Sequence, residues 1–172
     1  VNYDGVGKLD QGVQSTPVHR DSDPLAIPMA GRLDQLDPAR SRTVTGSETL
    51  PLVFESLTRV TEGCRVVPWL AAEWEANEDS SEFRFKLRPD VHFHDGRRLT
   101  SRDVRASFER FLKVEGASHY VLSSIKGAMD VIRGNASELE GLKLLSSKEF
   151  TLKLEEPVAI LPLLLSHVTT SI

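Results

Sequence analysis

His92, His94 and Asp95 are the residues of this chain whose types and spacing come nearest to a chemical signature. Two histidines one residue apart share a face of a β-strand, because side chains alternate with a period of two. Imidazoles so placed can hold a transition metal, but a zinc site needs three or four protein ligands, and no further ligand is signalled. A strand running into an Asp95-Gly96 turn explains the same residues, with glycine supplying the positive φ. That reading is preferred, and no metal is expected. The carboxylate pairs Glu73/Glu75 and Glu155/Glu156 would serve acid–base catalysis only in an apolar pocket that separated their pKa values. Nothing beside them marks such a pocket, so both read as solvated charge. Ser47 lacks the G-x-S-x-G surroundings of a nucleophile and reads as a helix cap. Cys64, the only cysteine, lies in a polar turn between Gly63 and Arg65 and excludes an internal disulfide or a multi-thiolate metal site. Trp69 and Trp74 adjoin Leu70, Ala71 and Ala72 and read as core aromatics. Of the two, Trp69 is the stronger candidate for stacking on a ligand. No catalytic residue and no cofactor are expected.

The elements that must position these residues centre on residues 68–110. Glu82-Phe83-Arg84-Phe85-Lys86-Leu87-Arg88 alternates charged and apolar, the period of a strand with one face wet. A polar turn at residues 77–81 precedes it and a segment with Trp74 lies before that turn, which together predict a hairpin. Val91 and Phe93 continue the alternation to Asp95-Gly96. Thr100 and Asp103 then fit the ends of a capping box, followed by Val104, Phe108, Phe111 and Leu112 at helical spacing. Upstream, residues 1–24 read as a flexible linker, residues 25–32 as an edge strand with Pro28 in it, and residues 33–46 as a loop turning at Asp37-Pro38. Leu50, Val53, Phe54 and Leu57 predict a helix over residues 47–60 capped by Ser47. Downstream, residues 119–133 predict a helix stopped by Gly134-Asn135, residues 141–145 and 149–154 a second hairpin, and residues 158–168 a short buried helix. The fold class is mixed α/β, with antiparallel hairpins and three to four helices.

The chain has 172 residues, a net charge of −4 and 40% hydrophobic residues, enough for one core. Its basic residues alternate with acids or stand alone except at Arg97-Arg98, which argues against a nucleic-acid surface. No apolar run approaches the length of a membrane span. The apolar stretch at residues 161–172 is expected to expose hydrophobic surface and to pair two copies of the chain.

Taken in order, several of these stretches resemble the family 5 extracellular solute-binding proteins, the peptide-, dipeptide- and nickel-binding components of bacterial ABC importers. The resemblance rests on Leu36-Asp37-Pro38, Phe54-Glu55-Ser56-Leu57, Leu70-Ala71-Ala72-Glu73-Trp74-Glu75 and Phe83-Arg84-Phe85-Lys86-Leu87-Arg88. It continues through Val91-His92-Phe93-His94-Asp95-Gly96, Leu99-Thr100-Ser101-Arg102-Asp103-Val104 and Tyr120. Ile125-Lys126-Gly127-Ala128 and Phe150-Thr151-Leu152-Lys153-Leu154-Glu155-Glu156-Pro157 complete it. It implies part of the N-terminal lobe of a type II periplasmic-binding-protein-like fold, with residues 25–172 forming an incomplete lobe and the second lobe absent. It also implies a peptide or other small solute as ligand, two-lobe closure around it, ABC permease subunits as partners, and no enzymatic activity. The location implied is periplasmic or extracellular, at the membrane through the transporter. The same lobe in a transcriptional or signalling regulator, then cytoplasmic, is the alternative. In the family the loop after "LDP" contacts ligand, which implies roles for Arg40, Arg42, Thr43 and Thr45, the arginines suiting a carboxylate. The family's "SPY" segment corresponds to Ser118-His119-Tyr120, with His119 in place of the usual proline, which implies His119 and Tyr120 at the cleft.

Overall fold

Phe83, Phe85 and Leu87 point one way and Arg84 and Lys86 the other, so a single strand separates the core from water. In the computed structural model, which describes residues 31–33 and 35–172, the first three are buried and the two cations exposed. In chain order the elements are α1 (Val44–Thr49), β1 (Thr58–Val60), β2 (Val66–Pro68), β3 (Ala71–Ala76), β4 (Glu82–Leu87), α2 (Ser101–Lys113), α3 (Ala128–Ile132), β5 (Leu142–Leu144), β6 (Glu149–Lys153) and α4 (Leu161–Leu164). Short 3₁₀ turns occupy Leu50–Leu52, His119–Val121 and Val168–Thr170. An antiparallel four-stranded sheet runs β3-β4-β6-β5, and β1 and β2 form a separate two-stranded ribbon.

Both expected hairpins are present. In the first, Trp74 pairs with Phe85 across β3 and β4 and so shares its inward face, the two ring centroids 6.4 Å apart. The polar turn before β4 closes through its own side chains: Asn77 Oδ1 accepts the Glu82 N–H at 2.9 Å, and Asp79 Oδ1 accepts that of Ser81 at 3.0 Å. The wet face carries cross-strand ion pairs, Lys86 with Glu73 at 3.0 Å and Arg84 with Glu149 at 2.6 Å. Exposed pairs of this kind add little stability and serve mainly to fix register.

Helix α2 covers the buried face of the sheet with Val104, Phe108, Phe111 and Leu112. Its first turn is built as a capping box. The Asp103 carboxylate accepts from the Thr100 N–H at 2.8 Å and from the Thr100 hydroxyl at 2.6 Å. Burial alone would raise the Asp103 pKa, but the hydrogen bonds from Thr100 and Arg97 outweigh it and hold the carboxyl below its usual range.

Several expectations need correction. The helix over residues 47–60 is not formed. Thr43, not Ser47, caps α1, its side chain accepting from the Gly46 N–H at 3.1 Å, and the helical path ends at Leu52. Leu50 and Leu57 are buried but Val53 is 49% exposed, so the apparent stripe does not face one core. The β-branched Thr58 and Val60 pair instead with Val66 and Pro68 as β1 and β2. The helix over residues 119–133 is likewise broken. A 3₁₀ turn and α3 flank a stretch in which Ile125 bridges Leu154 and Gly127 takes φ +78°. Finally, residues 91–93 do not extend β4. Pro89, which has no N–H to donate, follows that strand, and His92 meets only Arg98 in an isolated bridge closed by Gly96 at φ +85°.

At the C-terminal end Leu161, Pro162, Leu165 and Val168 are buried, which corrects the expected exposed surface; the large hydrophobics left outside there are Ile160 and Leu163. The linker of residues 1–24 and residues 25–30 of the expected 25–32 edge strand lie outside the described residues. Among the described residues no helix is long and apolar enough to cross a membrane.

Candidate functional site

Asp37 holds the loop that leads into the site. Its carboxylate takes two hydrogen bonds from Arg110 on α2, Nη1 to Oδ1 at 3.1 Å and Nη2 to Oδ2 at 2.6 Å, and a third from the Ala39 N–H at 3.1 Å. Arg40 Nε lies 3.4 Å from the same carboxylate. The bidentate Arg110 contact, ahead of the Ala39 amide, holds the Asp37 pKa below its ordinary 3.8. A depressed folded pKa means that the contribution is complete above the unfolded value and is lost as pH falls through the folded one. Asp37→Asn is therefore expected to cost about 1 kcal/mol at neutral pH. In urea titrations the gap between the two proteins should close as the pH drops below 3.8; a gap of constant size would show that the Arg110 pairing is not its source.

Beyond Asp37 the candidate residues divide. Arg40 stays with Asp37, on the side of α2. Arg42 donates from Nη2 to the Gly116 carbonyl and so ties its loop to the segment carrying His119 and Tyr120. Thr43 is the α1 cap, and Thr45 is buried at 6% exposure. His119 is turned inward: Nε2 lies 3.0 Å from the Val114 carbonyl, and the ring meets Phe111 edge-on at 5.8 Å. Tyr120 is 62% exposed although the next two residues, Val121 and Leu122, are fully buried. That contrast presents the phenol to solvent from a fixed backbone, at an open groove of about 510 Å³ that it lines with Ser47, Arg59, Val60, Leu163 and His167. Trp69 is half-buried under the Arg59 guanidinium, 4.7 Å from its ring centre.

The structure therefore ties the Arg42–Thr43 loop to the segment that carries Tyr120, joins Trp69 to Arg59, and keeps Arg40 with Asp37. Arg59, Val60 and His167 were missed because each lies in a segment read as a helix. The β-branched run Val66-Val67, opposite Val60 and Arg59, was the available signal for a hairpin.

A second cleft, of about 380 Å³, borders the Asp-Gly turn and is lined by Val53, Phe54, Phe93, His94 and neighbours. His92 and His94 are both exposed, His92 Nδ1 lies 2.9 Å from the Asp90 carbonyl, and Arg97 stacks on Phe93 at 4.3 Å. Among the described residues no three His, Cys, Asp or Glu side chains converge on one point.

Comparison with known proteins adds the context that geometry alone lacks. A dipeptide-binding protein of Lactococcus lactis subsp. cremoris is 30% identical over 118 residues, 67% of this chain and 22% of that protein. The HTH-type transcriptional regulator SgrR of Photorhabdus laumondii is 41% identical over 68 residues, 39% of this chain and 12% of the regulator. Among solved structures, OppA of Burkholderia pseudomallei superposes with a TM-score of 0.74 at 26% identity, over 81% of this chain and 28% of its own. The chain thus spans about a quarter of the length of the curated relatives it matches. Its fold is that of one part of a type II periplasmic binding protein, mixed α/β with antiparallel sheets. Residues 65–172 match the family model described as bacterial extracellular solute-binding proteins, family 5 Middle. With the capped helix, both hairpins and the Asp37 turn in the expected order, the chain belongs to that family of solute-binding proteins.

Proposed function

We propose that this chain is part of one lobe of a solute-binding protein that captures peptides or similar small solutes for an ABC importer. A second lobe would close over the face bearing Tyr120, and the closed form would dock on permease subunits at the membrane, outside the cytoplasm. The chemistry is non-covalent and asks for no catalytic residue. The observation that carries the reading is Tyr120, a large aromatic kept outside while its neighbours are buried, beside a loop that Arg42 fastens to the same segment. The peptide-binding names of the relatives support the ligand class.

Half a clamp buries half a ligand, so this chain alone is expected to bind short peptides only in the millimolar range. Tyr120→Ala should weaken that binding about fivefold and leave the unfolding midpoint unchanged, because an exposed ring contributes little to the core. Micromolar binding in calorimetry by this chain alone would overturn the shared-lobe reading, and an unaltered affinity for Tyr120→Ala would remove the assigned face.

Sensing within a regulator is the second reading, favoured by the SgrR match. The gene sequence upstream of Val1 separates the two. An export signal supports transport, and a helix-turn-helix module supports sensing.

A further inference from the structure

Arg59 stands on the outer side of β1, next to the buried Thr58, with its guanidinium stacked over Trp69 at 4.7 Å. Such a stack contributes about 0.5–1 kcal/mol at an exposed site. It also restricts a side chain that would otherwise visit many rotamers. Stacking leaves the donors on the guanidinium edge open and does not neutralise the charge. None of the ion pairs among the described residues includes Arg59. Of the two arginines seated on aromatic rings among the described residues, Arg59 and Arg97, only Arg97 is also paired with a carboxylate.

The groove it lines points the same way. No carboxylate is among the lining residues, and Val60, Leu163 and Tyr120 give it an apolar surface. His167 is engaged through Nδ1, which accepts the Thr169 N–H at 3.3 Å. Partial burial lowers the His167 pKa and so disfavours its cationic form, which leaves Arg59 as the standing charge of the groove. A volume near 510 Å³ is within the range of small-ligand sites.

We infer that this groove takes a small amphipathic carboxylate, its anionic group paired with Arg59 and its apolar body laid along Val60, Leu163 and Tyr120. The inference rests on the solute-binding reading and narrows it. It commits the ligand to a free carboxylate next to an apolar group, whether that group is the last residue of a peptide or an acyl chain.

The test uses the full 172-residue chain and follows the Trp69 indole N–H by nitrogen-edited NMR. Three probes are titrated into the millimolar range: the tripeptide Ala-Ala-Leu, its C-terminal amide, and octanoate. The free acid is expected to shift the Trp69 signal and the amide to bind about tenfold more weakly, the loss of one charge-assisted pair. Arg59→Gln should abolish the difference between acid and amide, and Arg59→Lys should retain part of it. Dispersed spectra of both variants will show that the fold is intact. If octanoate binds through Arg59 while neither peptide does, the carboxylate site stands with an acyl source and the peptide reading falls. Should acid and amide bind equally and ignore Arg59→Gln, peptide binding stands and this inference is wrong. Absence of any Trp69 shift with all three probes also overturns it.

Discussion

Phe85→Ala is expected to destabilise the chain by about 4 kcal/mol, the upper part of the range for emptying a buried aromatic site. Phe85 has no exposed surface, and its ring lies 5.4 Å from Phe150 and 6.4 Å from both Phe83 and Trp74. Its removal therefore opens a void among rings on three adjacent strands, where rigid backbones cannot collapse to fill it. A domain of this size holds roughly 5–15 kcal/mol in reserve, so the variant should be close to unfolding at body temperature. Urea denaturation followed by circular dichroism would measure the loss. Phe85→Leu, which keeps most of the volume, should cost less than half as much. Equal losses for the two variants would show that aromatic stacking, and not filled volume, dominates at this position.

Gly141→Ala should cost about 3 kcal/mol, from a single added methyl group. Three backbone segments meet at this glycine. Its N–H donates to the Lys126 carbonyl at 2.9 Å, the Lys126 N–H donates to the Lys153 carbonyl at 2.9 Å, and the Lys153 N–H returns to the Gly141 carbonyl at 2.8 Å. A Cβ at Gly141 would stand 2.4 Å from the Lys153 oxygen and 2.9 Å from the Lys126 nitrogen. Backbone atoms cannot turn aside as a side-chain tip can, so the junction must open. The damage would reach the site as well, because residues 120–126 hang from this junction and carry Tyr120. Gly96→Ala and Gly134→Ala are the controls. Both have positive φ, +85° and +76°, but open space around them, so alanine should cost only about 1 kcal/mol of local strain. A Gly141→Ala midpoint no lower than these two would mean that the three segments do not meet as described.

The central unit was legible in the sequence because every signal in it is local. Alternation over residues 82–87 needs only two faces with different solvents, and the Thr100/Asp103 box closes within one helical turn. The Asp95-Gly96 turn needs only a residue that tolerates positive φ. Where local signals compete, the reading failed. Leu50, Val53, Phe54 and Leu57 have helical spacing, yet Leu57 is claimed by the main core while its carbonyl accepts from both Trp69 and Ala71. A distant partner, the Val66–Pro68 strand, outbid helix propensity over residues 58–60.

The same division holds for the site. The resemblance marked Arg42, Thr43 and Tyr120 by position along the chain, and the structure links the two segments that carry them through one contact between residues 74 apart in sequence, Arg42 with Gly116. It also turns His119 inward onto Phe111 and buries Thr45, outcomes that depend on packing from α2 and α1. Arg59 gave no signal in the chain, being one more cation in a misread helix. Its significance arises only when Trp69, brought alongside by the β1–β2 ribbon, orients it at a groove without carboxylates. Periodicity, caps and turn residues thus fix the local elements and their order, since each depends on near neighbours. Which side chains share a surface depends on contacts across tens of residues, and these come into being only when the core assembles.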